Sequence, residues 1–72
     1  MEYYERLKEV REDKDLTQKD VAILIGTTQQ QLYKYENGLQ DMTAPKLKKL
    51  CELYGVSADY ILGLPKESNW PR

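Results

Sequence analysis

Apolar residues recur three or four positions apart along most of this chain, which is the spacing of one face of an α-helix. Tyr3, Leu7 and Val10 share such a face and predict a first helix over residues 2–14. Acidic side chains near its start and basic side chains near its end suit the helix dipole. The pattern predicts a helix with one side packed on a core and the other in water.

A second helix is predicted over residues 17–25. The Thr17 hydroxyl can accept a backbone N–H that the first turn leaves without a partner, so Thr17 is a suitable cap. Gly26 can adopt the left-handed conformation that ends many helices. The apolar positions are Val21, Ala22, Leu24 and Ile25, and of these we expect Val21, Ala22 and Ile25 to face the core.

A third helix is predicted over residues 28–37, capped by Thr27 or Thr28 and ended by an Asn-Gly turn signal. Leu32 and Tyr35 are its inward positions. The other side is polar and carries Gln29, Gln30, Tyr33 and Lys34. Two short helices joined by a tight turn therefore occupy the middle of the chain.

Two further helices complete the pattern. Thr43 caps the fourth, where Pro45 is tolerated because the first turn does not need its N–H. Its buried stripe is Leu47, Leu50, Cys51 and Tyr54. Gly55 ends it, and Ser57 caps a fifth helix that runs to about Leu62. We expect Val56, Tyr60 and Ile61 to close the core, with Leu39 as a further contributor.

The predicted fold class is all-α, with one compact five-helix domain over residues 1–65 and a tail over residues 66–72. Seventy-two residues allow one domain, and a hydrophobic content of 40% is enough for one small core. Trp70 is the exception to a polar tail, and we expect it to fold back onto the domain or to pack in a dimer.

Catalytic and metal-binding functions are disfavoured by the residue types. There is no His to act as base or ligand, and the single Cys has no second thiol beside it for a metal site. We expect no enzyme activity, no catalytic residue, no metal and no cofactor. One Cys excludes an internal disulfide, and no apolar run resembles a signal peptide or membrane span, so we expect a cytoplasmic location.

The charge pattern is not that of a strongly basic DNA-binding protein. The net charge is −1, whereas phosphate contacts are usually made by an excess of Lys and Arg. Lys34 and Glu36 are the only charged residues between Val21 and Gln40. We therefore expect weak non-specific DNA affinity, with specificity coming from base contacts.

The polar side of the third helix has the chemistry of base recognition. A Gln amide can donate to N7 and accept from N6 of adenine in a pattern that no other base pair presents. Gln29 and Gln30 are placed for such contacts, with Tyr33 and Lys34 beside them, and the Thr28 methyl suits a thymine methyl. The alternative is a solvated helix surface that is rich in Gln.

The whole arrangement resembles the helix-turn-helix of lambdoid phage repressors and Cro proteins, the XRE type. The resemblance is carried by Gly26-Thr27-Thr28-Gln29-Gln30 followed by Glu36-Asn37-Gly38, and it extends over residues 5–64. It implies a lambda-repressor-like DNA-binding domain with the helix-turn-helix at helices 2 and 3. The family's frequent basic residue after Asn-Gly is replaced here by Leu39.

The resemblance also implies residue roles. Gln18 and Asn37 correspond to phosphate contacts, and Thr27 is grouped with them. Arg11 and Glu36 correspond to an ion pair that fixes helix 1 against helix 3, the alternative being two unrelated surface charges. Lys46 is a candidate phosphate contact from its place near the start of helix 4, and a solvated basic face is the alternative.

The leading hypothesis is a sequence-specific regulator of transcription, a repressor, that binds double-stranded DNA. In this hypothesis a homodimer, formed at least on DNA, binds a pseudo-palindromic operator with half-sites about one helical turn apart. Leu62, Leu64 and Trp70 are dimer candidates, and no membrane is involved. The alternative is an antitoxin or another protein-interaction regulator on the same fold.

Overall fold

The computed structural model of the protein describes residues 1–64. Within this range the chain forms five α-helices and no strand: α1 (Tyr3–Asp13), α2 (Gln18–Ile25), α3 (Gln29–Glu36), α4 (Ala44–Tyr54) and α5 (Ala58–Leu62). The all-α class and the five predicted helices are confirmed. The predicted bounds are slightly wider because they include both capping residues of α1 and α3 and the N-terminal cap of α2.

Four helices begin at a residue whose side chain is predicted to cap the helix. The hydroxyls of Thr17, Thr28, Thr43 and Ser57 each accept the backbone N–H three residues later, at 3.1, 3.1, 3.4 and 3.1 Å. Each cap satisfies a donor that the first turn of a helix leaves without an internal partner. Of the two candidates for α3, Thr28 is the cap. The cap sets the start of α3 and therefore which of its residues face outward.

All five helices end alike, with a residue of positive φ followed by a backbone N–H that reaches the carbonyl five positions earlier. After α2, Gly26 has φ 75° and the Thr27 N–H lies 2.8 Å from the Ala22 carbonyl oxygen. Gly38 is needed for two reasons, since its φ is 69° and an added Cβ would lie 2.6 Å from the Tyr4 ring. These ends turn the chain sharply and bring consecutive helices together.

The core lies where one face of each helix meets the others. α1 contacts α3, α4 and α5, while α2 packs on α3 and α4. The buried apolar side chains come from every helix and match most of the predicted stripes: Leu7, Val10, Val21, Ala22, Ile25, Leu32, Tyr35, Leu50, Cys51, Tyr54 and Ile61. Leu47 and Val56 are half-buried against this cluster. The α2–α3 pair is thereby held rigidly on a base formed by the other helices.

The prediction of a core position is wrong for two residues. Tyr60 is 52% exposed, because in the five-residue α5 only Ile61 points inward, and the Tyr60 ring lies under the Arg6 guanidinium at 5.6 Å. Leu39 is 68% exposed, since it follows the left-handed turn at Gly38 that directs the chain away from the core.

The predicted tail over residues 66–72, with Trp70 and the proposed domain end at residue 65, lies outside the described residues. Among the described helices, none combines the length and the apolar character needed to cross a membrane.

Candidate nucleic-acid interface

The residues predicted to contact bases lie on one side of α3. Thr28, Gln29, Gln30 and Tyr33 are exposed, and Lys34 is half-buried. Leu32, Tyr35 and Glu36 form the opposite, buried side. An eight-residue helix is about 12 Å long, and the major groove of B-DNA is about 12 Å wide and admits an α-helix. The outer face of α3 therefore has the size and the polar character that a groove-binding helix requires.

The electrostatics of this face are simple. Lys34 carries a positive charge beside four neutral side chains, and Glu36 at the end of the helix is only 3% exposed. The negative charge of Glu36 is compensated internally, so it does not repel phosphates strongly from the surface. The outer face of α3 is thus weakly positive although the chain has a net charge of −1.

Arg11 of α1 and Glu36 of α3 form a two-pronged ion pair. Arg11 Nε donates to Glu36 Oε2 at 2.8 Å, and Arg11 Nη2 donates to Oε1 at 3.1 Å. Arg11 Nη1 also donates to the Leu16 carbonyl at 2.7 Å. Hydrogen bonding to Glu36 raises the pKa of the Arg11 guanidinium further above its ordinary value. The pair joins the last turn of α1 to the end of α3, and the bond to Leu16 ties both to the α1–α2 loop.

Gln18 extends this network to the first turn of α2. Its Nε2 donates to Glu36 Oε1 at 2.9 Å, which fixes the amide between the N-terminus of α2 and the C-terminus of α3. An amide nitrogen carries two hydrogens, so one remains for a further acceptor. The N-terminal end of a helix also favours anions. The structure thus orients Gln18 through Glu36, a link that sequence spacing does not show.

The other predicted phosphate contacts are placed differently. Thr27 is half-buried in the turn between α2 and α3, and Asn37 is exposed, with its Nδ2 donating to the Tyr33 carbonyl at 2.8 Å. Lys46 Nζ lies 3.3 and 3.4 Å from the carbonyl oxygens of Ile25 and Gly26. The ammonium of Lys46 therefore lies at the C-terminus of α2, where a cation interacts favourably with the helix dipole.

Sequence reasoning missed a contact on the other flank of α3. Gln31 Nε2 donates to Gln40 Oε1 at 2.7 Å and ties the loop after α3 to the first turn of that helix. Nothing in the spacing of the sequence pairs Gln31 with Gln40. Such a contact depends on how the Gly38 turn reverses the chain.

An acidic groove borders the site. Glu5, Glu9 and Glu12 of α1 line it together with Lys8 and Asn37. Three carboxylates against one ammonium make this groove negative next to one end of α3. No group of residues able to hold a metal ion occurs among residues 1–64. Burial raises the pKa of the Cys51 thiol, which disfavours the reactive thiolate.

Comparison with protein families agrees with this geometry. A model described as a helix-turn-helix domain matches residues 4–67, which include α2 to α5 and all of α1 except Tyr3. The chain belongs to the XRE-type helix-turn-helix family. In this family frame, α2 and α3 are the two helices of the motif, and Gly26 lies in the turn between them.

Relatives of this XRE-type domain include regulators of transcription. The HTH-type transcriptional regulator ImmR of Bacillus subtilis is 41% identical over 58 residues, covering 81% of this chain and 46% of ImmR. The antitoxin PezA of Streptococcus pneumoniae is 32% identical over 63 residues, covering 88% of this chain and 40% of PezA.

A third relative carries the segment inside a much larger protein. Glutamine–fructose-6-phosphate aminotransferase of Methanocaldococcus jannaschii is 41% identical over 58 residues, which are 79% of this chain and 5% of that protein. The XRE-type domain spans less than half the length of each of these three relatives. The similarity therefore concerns the domain alone, and the activities of the longer proteins do not transfer with it.

Proposed function

We propose that this domain binds double-stranded DNA in a sequence-specific manner, inserts α3 into the major groove of an operator and represses transcription. The observation that carries the proposal is the outer face of α3. It presents exposed polar side chains on a helix whose opposite side is locked into the core. The relatedness to transcriptional regulators supports the same proposal.

Base recognition in this proposal uses the first turns of α3. Gln29 and Gln30 pair with adenine through N6 and N7, and the Thr28 methyl packs on a thymine methyl. Tyr33 and Lys34 contact bases further along the helix, where a Lys ammonium suits guanine O6 and N7. The Thr28 hydroxyl accepts the Gln31 N–H at 3.1 Å, and in this proposal the methyl of Thr28 faces the DNA.

Phosphate contacts orient α3 in the groove. Gln18, Thr27, Asn37 and Lys46 are the proposed donors, since phosphate oxygens only accept hydrogen bonds and most such contacts carry no sequence information. Few positive charges are involved, so we expect weak binding to non-specific DNA and a shallow dependence of affinity on salt.

Two copies bound to a pseudo-palindrome complete the proposal, with half-sites about one helical turn apart. Leu62 and Leu64 remain 44% and 39% exposed at the end of α5 and are the proposed contact between copies. Sedimentation of the protein alone and with operator DNA measures the stoichiometry. A single copy on a palindromic site would contradict this part of the proposal.

The test of the proposed function starts with selection of bound sequences from a randomised DNA duplex library. Binding anisotropy is then measured for the wild type, Gln29→Ala and Gln30→Ala. Each substitution is expected to cost about 1–3 kcal/mol of binding free energy and to relax preference at one base position. Glu52→Ala, on the exposed side of α4, is the control and leaves affinity and preference unchanged.

The result that overturns the proposal is equally clear. If no sequence is enriched, and if the residual binding disappears at modest salt, the outer face of α3 does not recognise bases. Reporter transcription from a promoter that overlaps the selected site distinguishes repression from activation.

A second candidate function is that of an antitoxin or another regulator whose main partner is a protein. The observation in its favour is the similarity to PezA over 88% of this chain. A toxin gene adjacent to the gene for this chain would support it. So would a tight complex with the product of that gene in the absence of DNA, whereas loss of the complex on mixing with operator would favour DNA as the main partner.

A further inference from the structure

The amide pair Gln31–Gln40 lies on one flank of the outer face of α3. Gln31 is half-buried and Gln40 is exposed, and their contact of 2.7 Å holds the loop after α3 beside the first turn of that helix. The loop carries no basic residue between Gly38 and Thr43, and its one acid, Asp41, accepts a bond from the Tyr3 hydroxyl at 3.4 Å.

The other flank of α3 carries the Gln18–Glu36 contact. Gln31 and Glu36 are five residues apart, which is about 140° around a helix of 3.6 residues per turn. The two contacts therefore border the outer face from opposite sides. A helix in the major groove has one sugar–phosphate strand along each side, and the two flanks of α3 would face different strands.

Counting hydrogen-bond donors and acceptors shows which atom of the pair still has hydrogens to donate. The contact uses one hydrogen of Gln31 Nε2 and one lone pair of Gln40 Oε1. Both hydrogens of Gln40 Nε2 remain, and no described residue accepts either of them. Gln side chains are common donors to phosphate oxygens, and a bond to an ionised oxygen is stronger than a neutral one.

We propose that Gln40 is a DNA-backbone contact and that Gln31 is its positioning residue. Gln40 Nε2 donates to a phosphate oxygen of the strand opposite the one that Gln18 contacts. The Gln31 bond fixes the Gln40 side chain before DNA binds, so less side-chain entropy is lost in the complex. This inference rests on the proposed function and adds a neutral clamp where the family's basic residue is replaced by Leu39.

The experiment uses the operator selected by the wild type, with affinity measured by anisotropy and phosphate contacts mapped by ethylation interference. Gln40→Ala is expected to lower affinity about 10-fold for the operator and for its single-base variants alike. Ethylation of one phosphate per half-site stops interfering in this variant. Gln31→Ala is expected to weaken binding less than Gln40→Ala, and the double variant is expected to resemble Gln40→Ala.

Gln40→Glu separates contact from positioning. Its carboxylate can still accept the Gln31 bond, but it replaces the two donors with a negative charge. We expect a greater loss of affinity than for Gln40→Ala at low salt, and a smaller difference between the two variants at high salt, because salt screens the repulsion. Unchanged melting temperatures for all variants confirm that the fold is intact.

The experiment distinguishes failure of the proposed function from failure of the role assigned to Gln40. If the wild type selects no operator, the proposed function itself is overturned, and this inference falls with it. If the wild type binds its operator and Gln40→Ala binds within about twofold of it, or alters base preference instead of losing one phosphate contact, only the role of Gln40 is overturned.

Discussion

Tyr54 places a polar group in the least accessible part of the core. Its side chain is 2% exposed, and no described residue supplies a hydrogen-bond partner for its hydroxyl. A buried polar group without a partner costs about 1–3 kcal/mol. Burial, and then the negative charge of Glu36, raises the pKa of Tyr54 above its ordinary value. The ring of Tyr54 therefore stabilises the core while its hydroxyl opposes that effect.

Replacement of Tyr54 by Phe tests this balance. Because the hydroxyl is removed and the ring is kept, the free energy of unfolding is expected to rise by about 1 kcal/mol at pH 7. The raised pKa means that the folded state holds the phenol proton more strongly than the unfolded state. Ionisation of Tyr54 is therefore expected to leave the unfolding free energy of the wild type unchanged below about pH 10. The unfolding free energy is expected to fall as pH rises from there toward the pKa of Tyr54 in the folded state.

Urea unfolding at pH 7 and over the range of pH 9–11 measures both effects. The unfolding free energy of Tyr54→Phe should fall less at alkaline pH than that of the wild type. Tyr3→Phe is the matched control, since the Tyr3 hydroxyl donates to Asp41 and accepts from the Met42 N–H, both at 3.4 Å, and its removal should destabilise the fold slightly. Equal effects of the two substitutions on the unfolding free energy at pH 7 would contradict the assignment.

At the scale of elements, the Arg11–Glu36 pair decides how α1 is joined to α3. The side chains are 10% and 1% exposed, so removal of one partner leaves the other charged and poorly solvated. Arg11→Met is expected to cost about 3–5 kcal/mol of unfolding free energy. Arg11→Met combined with Glu36→Leu is expected to be more stable than Arg11→Met alone, since no uncompensated charge is then buried.

A double-mutant cycle from urea unfolding measures this coupling. Glu12→Ala, an exposed neighbour on α1, is the control and should change stability by less than about 0.5 kcal/mol. Additive losses for Arg11→Met and Glu36→Leu would mean that the pair makes no specific joint between the two helices.

Lys46 has two roles with separate measurements. Its Nζ contacts carbonyl oxygens at the end of α2, so Lys46→Met is expected to lower the unfolding free energy by about 0.3–1 kcal/mol. Because Lys46 is also a proposed phosphate contact, Lys46→Met is expected to reduce the slope of log DNA affinity against log salt concentration by about one. Lys48→Met, at an exposed position, should change neither quantity. A loss of stability with an unchanged slope would assign Lys46 to the helix end alone.

Local signals in the sequence were sufficient for the elements. Thr17, Thr43 and Ser57 predict helix starts because a cap acts within three residues. Periodicity indicates which side of a helix a residue lies on, but not how deeply its side chain is buried. It therefore predicts Tyr60 in the core, although only Ile61 of the five-residue α5 is buried. The bonds of Gln31 to Gln40 and of Lys46 to the α2 carbonyls join different elements, and no local pattern encodes them.

At the scale of the whole molecule, the acidic groove on α1 opposes the proposed interface. Glu9 lies in that groove with Asn37, and its carboxylate would repel a phosphate brought to this end of α3. Glu9→Lys is therefore expected to strengthen binding to all DNA sequences and to steepen the salt dependence, with the selected operator unchanged. Anisotropy with operator and with random duplex DNA measures both.

Glu52→Lys provides the same change of charge on α4, away from this groove. Its effect on affinity should be clearly smaller. Equal gains for the two variants would show that only net charge matters, and that α1 does not lie near the DNA backbone.

The Arg11–Glu36 joint is buried, whereas the outer face of the same helix is exposed, and this has an evolutionary consequence. Gln29 and Gln30 are exposed, so their replacement disturbs little of the packing that maintains the domain. Under the proposed function, the DNA target can therefore drift by single substitutions without an intermediate that fails to fold. A lineage built on this scaffold can acquire new binding sites in a genome while its architecture stays constant.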